Sequence, residues 1–162
     1  MSRVRFNSEY ILQQMKAISN IIPTPVSIDL RGGGAMALYG LKEATKDMDV
    51  ILSSTDELNM LIGALRQLRY VPIRIPDLSK EYRQMEATAI LENRDGFRWD
   101  IFINRVCDAL VLSENIVSRT KKMFEEGNLS VHLFSKEDIF LFKGITERDL
   151  HLEEWLLWRR VE

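Results

Sequence analysis

The sequence predicts an α/β or α+β domain, and three observations carry that expectation. Helical and strand-like apolar patterns follow one another as helix, strand, glycine turn, helix, strand, helix, hairpin and helix. The triple glycine Gly32-Gly33-Gly34 comes directly after the first strand-like run. Asp95-Gly96 separates two further apolar runs and marks a tight hairpin turn. With 162 residues, of which 46% are hydrophobic and 28% charged, the chain suits one packed domain of roughly 100–200 residues rather than disorder.

Each element has its own local signal. From Ser8 to Ile22, the residues Ile11, Leu12, Met15, Ile18 and Ile22 recur at helical spacing. Ser8 is the expected N-cap there, and Pro23-Thr24-Pro25 stops the helix. Val26 to Leu30 reads as a short strand, Ala35 to Tyr39 as a short helix ending near Gly40, and Leu41 to Lys46 as a polar loop. Met48 to Leu52 is a second, largely buried strand. Ser54 or Thr55 caps the next helix, whose first turn holds Asp56 and Glu57 and whose apolar face is Leu58, Leu61, Ile62, Leu65 and Leu68. Pro72 to Pro76 is extended. Ala87 to Leu91 and Phe97 to Ile103 form the hairpin. Beyond it come a helix over Glu114 to Phe124, a short strand at Val131 to Phe134, and a helix opened by Ser135, with Asp138 completing a loose capping box. A final helix runs from Thr146 to Arg160 and carries Trp155 and Trp158 as core residues.

Charge and cysteine content exclude whole classes. With 22 basic and 24 acidic residues the net charge is −2, which rules out the broadly basic surface of a bulk nucleic-acid coat. Any contact with RNA would fall to local clusters such as Arg119-Lys121-Lys122 or Arg159-Arg160. The single cysteine, Cys107, excludes an internal disulfide and a cysteine-cluster zinc site. A reducing cytoplasm is the expected setting. Arg3 and Arg5 are followed by polar Asn7, Ser8 and Glu9 where a signal peptide would turn apolar. No apolar run reaches the ~18 residues of a membrane helix; Asp108 interrupts Val106 to Leu112.

The chemistry concentrates between Leu30 and Val50. A strand, a glycine turn and a helix let a backbone approach a phosphate, because glycine lacks Cβ and leaves amide groups facing an anion. Structural glycines at such turns are also common. Asp47 and Asp49, two apart, project to one face of a strand. Their mutual repulsion is relieved by a hard divalent cation, and Mg²⁺ is commonly held by one or two carboxylates together with substrate phosphates. Asp100, inside Trp99-Asp100-Ile101-Phe102-Ile103, is a candidate third carboxylate if its strand neighbours that of Asp49. The alternative has Asp100 and Phe102 facing outward while Trp99, Ile101 and Ile103 face the core. Gly32 to Ala37 also satisfies G-x-G-x-x-A, but Asp47 and Asp49 come before Val50-Ile51-Leu52, at the start of their strand instead of its end, and the crossover is too short for a dinucleotide fold. His132 and His151 lack companions for a metal site, and each reads as a surface residue.

Gly32-Gly33-x-Ala35, Gly40, Thr45 and Asp47-x-Asp49 followed by apolar residues resemble the polymerase-β-like nucleotidyltransferase superfamily. Within it the chain is most similar to the minimal nucleotidyltransferases of abortive-infection and toxin–antitoxin type. The resemblance extends to Asp100, and further to Lys143 and Arg148-Asp149. It implies a mixed sheet flanked by helices, with a helical C-terminal segment from about residue 113 to 162 in a single nucleotidyltransferase-like domain. It also implies transfer of a nucleoside monophosphate from an NTP such as ATP to a hydroxyl on RNA or protein, with Mg²⁺ or Mn²⁺ as cofactor. Asp47, Asp49 and Asp100 would then be the catalytic and metal-holding residues. Gly32, Gly33, Thr45 and Lys143 would bind the nucleotide, the two glycines by letting amides meet the β- and γ-phosphates. Lys143 follows apolar residues on its helix, so it either snorkels to solvent or reaches the triphosphate. The sequence departs from its relatives in carrying Glu43 where an arginine is usual, with Lys42 adjacent, and Glu153 where an aspartate is usual. The competing functional class is a non-catalytic module of the same fold that binds nucleotide or a toxin–antitoxin partner.

Overall fold

A computed structural model of the chain describes residues 3–74, 87–106 and 110–145. The first helix, α1 (Ser8–Ser19), buries Ile11, Met15 and Ile18 at the expected spacing. Its cap is Asn7 rather than Ser8: the Asn7 side chain accepts the Tyr10 amide at 3.0 Å. The strand β1 (Val26–Arg31) buries Val26, Ile28 and Leu30 and leads without a loop into α2 (Gly32–Leu38). That helix begins at the glycines, three residues before the expected start at Ala35. Gly32 makes the turn at φ 68°, a left-handed conformation that side chains resist. The second strand, β2 (Asp47–Leu52), takes in both aspartates. Ser54 caps α3 (Thr55–Gln67) by accepting the Glu57 amide at 3.2 Å.

Next come β3 (Val71–Pro72), the hairpin strands β4 (Ala89–Glu92) and β5 (Arg98–Ile103), and a small ladder of β6 (Arg105–Val106) with β7 (Leu110–Val111). The helix expected over Glu114 to Phe124 is only five residues long, α4 (Glu114–Ser118). The chain then forms β8 (Lys121–Glu126), which pairs with β9 (Leu129–Leu133). Tertiary pairing overrides the helical spacing of Ile116, Val117, Met123 and Phe124. The turn needs Gly127, at φ 52°, because a Cβ there would stand 2.7 Å from the Ser19 carbonyl oxygen. Of the segment expected to be helical from residue 113, this hairpin is therefore sheet. Ser135 caps α5 (Lys136–Ile145), its hydroxyl accepting the Asp138 amide at 3.1 Å. The helix expected over Thr146 to Arg160, with Arg148, Asp149, His151, Glu153, Trp155, Trp158 and Arg159-Arg160, lies outside the described residues, as do Cys107, Asp108 and the end of the extended run at Pro76.

Among the described residues the main sheet has seven strands in the order β3-β4-β5-β2-β1-β9-β8. It is mixed: β2 runs parallel to β5 and β1 to β9, while β1–β2, β3–β4, β4–β5 and β8–β9 are antiparallel. Alternation sorts the two faces. Leu30, Met48, Val50, Trp99 and Ile101 share one fully buried face. Edge-to-face contacts run from Phe6 and Tyr10 through Phe97 to Trp99 and tie α1 to β5. The opposite face carries Asp47, Asp49 and Ile51 beside Arg98, Asp100 and Phe102. The β8 edge is studded with Lys121, Lys122, Glu125 and Glu126 and is broken by a register shift between Lys122 and Phe124, which discourages another strand from adding there. No helix among the described residues is long and apolar enough to cross a membrane.

Candidate active site

Parallel register places Asp49 directly beside Asp100, with Asp47 one pleat away on the same face beside Arg98. Each of the three aspartates offers an oxygen, and these oxygens lie within 4.8 Å of one another. Asp49 and Asp100 are only 3% and 1% exposed, so water does little to screen them. The Oδ1 atoms of both are buried without a hydrogen-bond partner, a costly arrangement for carboxylates. Burial pushes the Asp100 carboxyl well above the usual carboxylate range; the charges of Asp47 and Asp49 push it further, and Arg98 opposes them. The alternation of the outward-facing alternative holds, with Asp100 and Phe102 on the face opposite Trp99 and Ile101, but that face is covered rather than open to solvent and Asp100 shares it with the other two acids. Three converging carboxylates, of which Asp49 and Asp100 each have an orphaned oxygen, form a donor set suited to a hard divalent cation.

The glycine turn is built around these acids. A Cβ on Gly32 would stand 2.6 Å from Asp49 Oδ2, and one on Gly33 would stand 2.5 Å from Thr45 Oγ1. Gly32 is thus required both by its conformation and by the carboxylate pressed against it. Thr45 is buried and donates its hydroxyl to the Asp47 carbonyl at 3.1 Å, fixing the loop that leads into β2. Backbone bonds between Phe6 and Thr45, at 2.7 and 2.9 Å, clamp that loop from the other side. Lys42 Nζ lies 3.5 Å from where a Gly33 Cβ would be, so the lysine beside Glu43 does bring a cation to the glycine turn.

Other expected residues sort differently. Lys143 lies on α5, which packs against α2, but its side chain is outside the described residues. In the basic cluster expected to serve RNA, Arg119 donates to both Asp138 oxygens at 2.9 and 2.8 Å, and Lys122 pairs with Glu125 at 2.9 Å. His132 alternates outward between buried Val131 and Leu133 as expected, and its Nδ1 lies 3.3 Å from the Ser27 hydroxyl. Two arginines near the carboxylates carried no recognisable sequence motif. Arg3 Nη1 donates to Asp47 Oδ2 at 3.2 Å. Arg31, opposite Asp49 in register and 4% exposed, lies over the Phe102 ring at 5.2 Å and the Phe142 ring at 5.8 Å. A lone arginine before a glycine run, or at the third position of the chain, has no spacing that betrays a partner across the sheet.

Neither a protein-family model nor a curated protein matches the sequence. Solved structures do match in shape. A candidate nucleotidyltransferase from Thermotoga maritima superposes with a TM-score of 0.59 at 15% identity, over 94% of this chain and 96% of that one. The fold is a nucleotidyltransferase fold. The antibiotic-resistance factor ANT(2″)-Ia, in complex with adenylyl-2″-tobramycin, superposes at a TM-score of 0.57 and 14% identity, over 92% of this chain and 84% of that one. Its solution structure gives 0.56 and 16%. In this nucleotidyltransferase fold the three acids are brought together by the central β2–β5 pair, with α2 starting beside them.

Proposed function

We propose that this chain is a metal-dependent nucleotidyltransferase that moves a nucleoside monophosphate from an NTP to a hydroxyl on RNA or protein. The observation that carries this reading is the convergence of Asp47, Asp49 and Asp100 within 4.8 Å beside the glycine turn of a nucleotidyltransferase fold. The reaction forms a bond between the acceptor oxygen and the α-phosphorus and breaks the α–β phosphoanhydride, releasing pyrophosphate. Asp47, Asp49 and Asp100 hold Mg²⁺ or Mn²⁺. Once bound, the cation neutralises triphosphate charge and lowers the pKa of the acceptor hydroxyl. Gly32 and Gly33 let the backbone turn where any side chain would collide with Asp49 or Thr45, and their amides meet the phosphates. Thr45 holds the floor of that turn, and Lys143 on α5 supplies a point charge to the triphosphate. Positioning and charge neutralisation do the rest, so no histidine or cysteine nucleophile is needed.

The test is incubation with labelled NTPs and Mg²⁺ in three arms: cellular RNA, cellular protein, and a small polyhydroxylated acceptor. The third arm follows from ANT(2″)-Ia, whose complex holds an adenylylated aminoglycoside. Label transfer that disappears in Asp49→Asn supports the reading, and the labelled arm identifies the acceptor. Transfer that survives Asp49→Asn overturns the metal assignment. Nucleotide binding without transfer in any arm would instead favour the non-catalytic module of abortive-infection or toxin–antitoxin type.

A further inference from the structure

Outside the carboxylates, the most developed polar construction near the site is the N-terminal arm. Arg3 Nη1 donates to Asp47 Oδ2 at 3.2 Å, and Nη2 reaches the carbonyl oxygens of Lys46 at 3.2 Å and Gly96 at 3.5 Å. Lys46 precedes β2 and Gly96 precedes β5, so one guanidinium spans the starts of the two strands that carry all three acids. The arm is anchored as well. Phe6 is 7% exposed, bonded to Thr45 through its backbone, and packed against Tyr10 and Phe97 at 4.6 and 5.0 Å.

We infer that Arg3 is a positioning residue for the cation site: it holds the Asp47 carboxylate in its ligating orientation and pins β2 to β5 beside it. The inference rests on the metal-binding reading of the three acids given above. Two opposite effects are conceivable for an arginine in this place. It can compete with a cation for Asp47, or it can orient Asp47 toward one. The structure favours orientation, because Asp47 offers an oxygen to the converging triad while Arg3 holds its Oδ2. An arginine that competed would draw the carboxylate out of the cluster. The forked guanidinium also matters, since a lysine cannot serve a carboxylate and two carbonyls in one plane. Outer partners that orient metal ligands typically alter metal affinity about 10–100-fold.

The test is calorimetric titration of the metal-free full chain with MgCl₂ and with MnCl₂, for the wild type, Arg3→Gln and Arg3→Lys. The expected result is a dissociation constant raised about tenfold in Arg3→Gln and partly restored in Arg3→Lys. Transfer by Arg3→Gln should recover toward the wild-type rate at high Mg²⁺, because Arg3 touches neither substrate nor the reacting atoms. Unchanged affinity in Arg3→Gln overturns the inference, and tighter binding overturns it in favour of competition. A wild type that binds neither ion brings down the metal reading itself, and the role of Arg3 with it.

Discussion

Asp100→Asn should stabilise the metal-free protein while abolishing its response to Mg²⁺. At 4.8 Å and an effective dielectric of about 20, two unit charges repel by about 3.5 kcal/mol. Asp100 faces two such neighbours, so three ionised acids would cost a large share of the roughly 5–15 kcal/mol that holds a domain together. Part of that cost is already offset by Arg98 beside Asp100, by Arg3 on Asp47, and by the upward push that burial and the neighbouring acids give the Asp100 carboxyl. The remaining gain on removing one charge is about 1–3 kcal/mol, because the new amide can also donate to Asp49. For a chain of this size that corresponds to roughly 3–10 °C in Tm. Thermal unfolding of wild type and variant in EDTA and in Mg²⁺ measures both effects. In EDTA the variant should melt higher; in Mg²⁺ the wild type should gain and the variant should not. A variant that melts lower in EDTA would overturn this expectation, since it would show that the Asp100 charge is net favourable without a cation.

Gly32→Ala should lose about 1–3 kcal/mol of stability from its left-handed φ, and its Cβ, 2.6 Å from Asp49 Oδ2, should weaken Mg²⁺ binding in the same titration. Thr45→Val keeps the shape but removes the hydroxyl bonded to the Asp47 carbonyl, so urea unfolding should show a loss of about 1 kcal/mol. Asp138→Asn tests the ion pair that joins Arg119 to α5. Hydrogen bonds from Arg119, and secondarily from Ser135, hold the Asp138 carboxyl below its ordinary range against the opposing effect of burial. That pairing therefore stabilises the fold above the unfolded-state pKa of about 3.9 and is lost as pH falls through the lower folded value. The variant should be less stable at neutral pH by about 1–3 kcal/mol and should show a shallower acid limb below about pH 4. An acid limb identical to that of the wild type would remove Asp138 from that role.

The local elements and the inventory of acids are legible in the order of residues along the chain. Period-3.6 apolar spacing set α1 and α3, alternation set β1, the Asp95-Gly96 turn between two apolar runs set the β4–β5 hairpin, and Gly32 to Asp49 carried enough spacing to suggest both chemistry and fold. Where local signals were ambiguous, it was less reliable. Lys121 to Glu126 has apolar residues compatible with a helical face, and only pairing with Leu129 to Leu133 makes it a strand. Which residues face one another across the sheet came from the fold. Whether Asp100 joins Asp49 depends on β2 lying parallel to β5 in a register that aligns them, and a slip of one residue would have sent Asp100 to the other face. Arg3 reaches Asp47 across 44 positions of chain, and Arg31 reaches Phe102 and Phe142 from another strand. Such meetings leave no periodicity in the sequence, because they are set by strand order and register and not by the residues beside them in the chain.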